Sequence, residues 1–137
     1  MTTIGEDILT YLESGRYGVR HRTLFTSAEQ GAFDNRPLSL VVTEARSPDT
    51  PDVTVDADVS YVNLVISGQY GKQGESHVYA YADKVYRYMR LVLDQTINQT
   101  TYLCIEALNP PAHAGYDENG RTVYEITLEI YRVLTEA

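Results

Sequence analysis

A chain of 137 residues, 43% hydrophobic and 22% charged, has the length and composition of one ordinary domain able to bury its own core. Its net charge of −8 excludes a broad basic surface for nucleic acid, and the single Cys104 excludes an internal disulfide framework or a cysteine-built zinc site. No apolar run has the length of a membrane span, and the opening "MTTIGEDILTYLESG" is too polar and acidic for a secretory signal.

The chain starts with a helix. Thr3 and Glu6 form a T-x-x-E capping box, and Ile4, Ile8, Tyr11 and Leu12 follow at helical spacing before Gly15 and Gly18 stop the run. "HRTLFTSA" then fits a short strand and "EQGAFDNRP" a loop.

"PLSLVVTEAR" and "VTVDADVSYV" flank "SPDTP", whose prolines and aspartate favour a turn. A tight turn at Asp49–Thr50 sets Leu38 opposite Tyr61, Leu40 opposite Val59 and Val42 opposite Ala57, an entirely apolar face. Ser39–Ser60, Val41–Asp58 and Thr43–Asp56 then form the wet face. Period two thus explains the aspartates without a ligand role. The polar tip, with Arg46, Asp49, Thr50, Asp52 and Thr54, is expected to project as an arm that serves assembly.

Beyond Tyr61, Val62, Leu64, Val65 and Ile66 are apolar on both phases, as in a strand at the middle of a covered sheet. "SGQYGKQGES" breaks the pattern. A second helix carries Val78, Ala82, Val85, Met89 and Val92 on one stripe, and "DQTINQTT" ends it. "YLCIEAL" reads as a short strand, and "NPPAHAGYDENGR" as a long loop closing on Asn119–Gly120. In the final strand Tyr124, Ile126, Leu128 and Ile130 alternate with Glu125, Thr127 and Glu129. The expected architecture is a single domain, residues 1–137, of the α+β class. It has a mostly antiparallel sheet, two helices packed on it and a protruding β-hairpin arm.

Motifs for chemistry are few. His21, His77 and His113 are scattered without metal-ligand spacing, and no EF-hand loop is present. Cys104 between Leu103 and Ile105 reads as a small buried hydrophobe. Ser67 lacks the G-x-S-x-G frame of a hydrolase elbow, and "GQYGKQGES" does not match a phosphate loop. The expectation is a protein without catalytic, metal or cofactor sites.

The order of these elements, with "RPLSLVVTEAR", "DVSYVNLVI", "SHVYAYADKVYRYMRLVL" and the closing "DENGRTVYEITLEIYRV", resembles the tail terminator proteins of long-tailed bacteriophages. The resemblance covers nearly the whole chain. It implies a homohexameric ring at the head-proximal end of the tail tube. Such a ring stops addition of the major tail tube protein and offers a surface to the head-closure or connector protein. It further implies a virion protein assembled in the host bacterial cytoplasm, without a membrane partner, that works by geometry without turnover. Genome DNA passes through the lumen without specific binding. Tyr116, Asp117 and Glu118 in the long loop are candidate lumen or loop contacts, since an acidic or neutral wall does not hold passing phosphates. Two alternatives are another head-to-tail neck component, a head-closure or minor tail protein, and a small metal-dependent hydrolase using Asp56, Asp58 and Glu44.

Overall fold

The computed structural model describes residues 3–29, 37–45, 57–68, 72–118 and 120–133. Helix α1 spans Ile4–Ser14, and Thr3 caps it as the sequence predicts, its Oγ1 accepting from the Glu6 N–H at 3.2 Å. Glu6 and Asp7 occupy the first turn, where the helix dipole favours negative charge. α1 ends at Gly15 as expected, though not through a left-handed glycine. Gly15 has φ −83°, and the left-handed position is taken by Arg16 at φ 65°. Gly15 is needed for space: a Cβ there would lie 2.5 Å from the Tyr88 ring, which stacks on Tyr11 with centroids 4.4 Å apart.

β1 (Leu24–Thr26) is the short strand expected, and a 3-10 turn, Ser27–Glu29, follows it. It runs parallel to β2 (Leu38–Ala45), which pairs antiparallel with β3 (Ala57–Gly68). The expected register of that pair is wrong. Leu38 lies opposite Gly68, Leu40 opposite Ile66 and Val42 opposite Leu64, while Ala45 meets Tyr61. The shift is an odd number of residues, so it turns β3 over. Val62, Leu64 and Ile66 take the core face, and Val59 and Tyr61 move to the other, half-buried. Both phases of β3 carry apolar residues, and the deeper one is chosen over the shorter turn. Residues 46–56, with the tip of the expected arm, lie outside the described residues.

Helix α2 (Lys72–Met89) buries Val78, Ala82, Val85 and Met89 as its periodicity predicts, and Val92 stays buried just past its end. "DQTINQTT" is more than a helix stop. Leu93–Ile97 forms β4, and Thr100–Ala107 forms β5. Asn98 and Gln99 join them at φ 49° and 71°, the two successive positive values of a tight hairpin turn. The expected long loop likewise contains β6 (Ala112–Tyr116), paired with β7 (Thr122–Val133).

The sheet order is β1-β2-β3-β7-β5-β4, with β6 also on β7. β3 lines one edge of β7 throughout its length, whereas the other edge is divided between β6 and β5. Asn109 fills the junction. Its Oδ1 accepts from the Thr127 N–H at 3.0 Å and its Nδ2 donates to the Glu125 carbonyl at 3.2 Å, in the manner of a peptide group. Both helices lie on one face of the sheet. Ile8, Leu9 and Leu12 of α1 and the α2 stripe close over Leu40, Val62, Leu64, Ile66, Ile126, Leu128 and Ile130 to form one core. This is the α+β fold expected, with a mixed, mostly antiparallel sheet.

Candidate interaction surfaces

Arg46, Asp49, Thr50, Asp52 and Thr54 lie outside the described residues, as does Asp56. The Glu44 Oε1 accepts from the Gly5 N–H at 3.3 Å, so its carboxylate sits at the N-terminus of α1. Asp58 pairs along the backbone with Arg132. Among the described residues no group of three His, Cys, Asp or Glu side chains is gathered as a metal would require. Tyr116 ends β6, 61% exposed, with its ring edge-on to His113. Asp117 is engaged within the chain, its carboxylate accepting from the Arg121 N–H at 2.8 Å and from Nε at 2.6 Å. Glu118 is exposed at the turn.

The structure adds a buried polar network. Asp7 is fully buried, accepting from the Tyr102 hydroxyl and, at 2.9 Å, from the Asn98 amide. Burial and then the hydrogen bond to Asp7 push the Tyr102 phenol far above its ordinary range. The network ties α1 to the β4–β5 hairpin. An acidic residue in a first helical turn reads as solvated, so nothing in the sequence signals this burial.

Two larger surfaces lie on opposite layers of the molecule. The first is the sheet face away from the helices. Among the described residues, no helix or strand packs over its β7–β5–β4 end. Strand pairing sets Val59, Tyr131, Cys104 and Leu93 in one row across four strands, with Leu93 75% exposed. Glu106 lies directly opposite Glu129 in the next row, an unfavourable like-charge pairing, and Glu125 shares their face. The negative field is felt by their neighbours. Burial first, then Glu106 and Glu129, push the Cys104 thiol up, which disfavours a reactive thiolate. The Tyr131 hydroxyl is pushed to about 12, chiefly by its hydrogen bond to Glu129. At the β1–β2 end the same face is closed, with Phe25, Ser39 and Val41 buried.

The second surface is the outside of α2. His77, Ala80, Lys84, Arg87 and Leu91 are all exposed and recur every three or four residues, opposite the buried stripe. Arg90 stands beside them with its guanidinium 5.2 Å from the Tyr86 ring centroid. Asp83, bonded to Arg87 at 3.0 Å, is a local carboxylate on this half of the helix. The C-terminal half of α2 together with Arg90 just past its end is thus cationic in a chain that is acidic as a whole.

No protein-family model matches the chain, and no curated protein matches it. Among the solved structures that are similar, one matches over 98% of this chain and 99% of that chain, at 15% sequence identity and a TM-score of 0.44.

Proposed function

We propose that the chain is a structural tail terminator protein of a long-tailed bacteriophage. It assembles as a homohexameric ring on the head-proximal end of the tail tube, ends tube growth and presents a surface to the head connector. The observation that carries this reading is the sheet face left without a helix. There the row Val59, Tyr131, Cys104 and Leu93 runs beside Glu106 and Glu129. A face that mixes half-buried apolar groups with charge suits contact with another protein. The order and length of the elements, from the capped α1 to the closing β7, support it through the resemblance described above. The work is mechanical, and no cofactor enters it.

The direct test is electron microscopy of particles assembled without this chain. Overlong tubes, or tails unattached to heads, are expected. Tails of normal length joined to filled heads would overturn the proposal. In the finished ring DNA passes without being held, so purified rings should not retard duplex DNA at physiological salt.

A further inference from the structure

We infer that the acidic sheet face of one copy receives the basic outer face of helix α2 of a second copy, in a head-to-tail contact. The inference deepens the ring proposal and rests on it for the number of copies. The two surfaces occur on the same chain and carry opposite charge. Glu106, Glu125 and Glu129 share one sheet face, on which no strand position of the described residues holds Lys or Arg. Lys84 and Arg87 lie on the exposed side of α2, and Arg90, also exposed, follows directly after its end.

The surfaces also fit in kind. Each has an apolar part beside its charges: Leu93, 75% exposed, on the sheet side, and Leu91, 71% exposed, at the end of α2. An 18-residue helix is about 27 Å long, and the 12-residue strands β3 and β7 extend about 40 Å, enough to receive it. The chain already packs α2 on the opposite face of this sheet, so the contact would repeat a helix-on-sheet arrangement it uses internally. Glu106 facing Glu129 is unfavourable in an isolated copy, and a guanidinium placed between them relieves it. The two surfaces are different patches of one chain, so the contact is heterologous. It closes into a ring when the rotation between copies allows, and otherwise propagates as an open chain.

Reciprocal charge reversal tests this. One variant carries Glu106→Lys and Glu125→Lys, both exposed positions, and a second carries Lys84→Glu, Arg87→Glu and Arg90→Glu. Each alone should self-associate about a hundredfold more weakly than the native chain, read by light scattering. An equimolar mixture should regain the native mass, because each variant then meets a complementary face, and so should a chain carrying both sets. Thermal melts monitor folding, and Gln at the same positions replaces any reversal that unfolds, with weaker self-association then the readout in place of recovery on mixing. A native assembly unmoved by either variant, or a mixture that fails to recover, overturns the contact while leaving the ring standing. Open polymers that dissociate on reversal support the contact and overturn the ring. A native chain monomeric under all conditions overturns both.

Discussion

At Asp7 a carboxylate is held fully buried in the first turn of α1, beside the Tyr102 hydroxyl and the Asn98 amide. Such a group is tolerated where donors replace water, and losing one exposes the desolvation that the others had offset. Tyr102→Phe removes the hydroxyl and little volume. It should destabilise the protein by roughly 1–3 kcal/mol, seen as a lower urea midpoint at unchanged slope. An unchanged midpoint would mean that Asp7 is satisfied without Tyr102. Glu29 gives a pH dependence of definite sign. Burial pushes its carboxyl up, but the Arg20 guanidinium and the Thr26 N–H and hydroxyl outweigh this and hold it at about 2, against an ordinary 4.5. A depressed folded pKa adds stability above the unfolded value, and that stability is lost as pH falls from about 4.5 toward 2. Glu29→Gln should therefore flatten the acid limb of a melting-temperature profile.

At the level of elements, the β4–β5 hairpin turns on a residue poorly suited to its conformation. Gln99 has φ 71°, where a residue with a Cβ is strained by about 1 kcal/mol. Gln99→Gly relieves the strain but loosens the unfolded chain, so the net gain should be about 0.5 kcal/mol, a rise of about 2 °C in melting temperature. A lower melting temperature would show that the Gln99 side chain itself contributes. The seam between β5 and β6 depends on Asn109. Asn109→Ala frees the Thr127 N–H, whose hydrogen exchange should accelerate while that of Ile126 and Leu128 stays slow.

These two places also show where the sequence is mute. The α2 stripe and the β7 alternation are long, unbroken periods, and both are readable. β4 is an edge strand with four consecutive exposed residues, Leu93 to Thr96, so no alternation marks it. Asn-Gln is a weak form of its turn signal. β6 is similar, with Ala112, His113 and Ala114 all exposed. In β3, Val59 and Tyr61 imitate a core phase, and only the competing depth of Val62, Leu64 and Ile66 decides the β2–β3 register. Of the surfaces, the turn holding Tyr116, Asp117 and Glu118 is visible in the chain, although the commitment of Asp117 to Arg121 is not. The acidic face and the basic helix face become a pair only once the sheet face covered by the helices is known.

Over the whole molecule two electrostatic effects of different range act on assembly. Each copy carries a formal −8, so approaching copies repel at distances set by the ionic atmosphere. The proposed contact instead places Lys84, Arg87 and Arg90 within a few ångströms of Glu106, Glu125 and Glu129, an attraction of short range. The Debye length is about 30 Å at 0.01 M salt, about 8 Å at 0.15 M and about 3 Å at 1 M. Moderate salt therefore removes the long-range repulsion first and largely spares the contact pairs, which only high salt weakens. Association should rise from about 0.01 to about 0.15 M salt and fall again toward about 1 M, with the ring most populated between. Light scattering at fixed protein concentration across that range measures the curve. A steady rise to the highest salt would mean that apolar burial alone holds the copies together. A steady fall would mean that the net charge of the chain never governed its assembly.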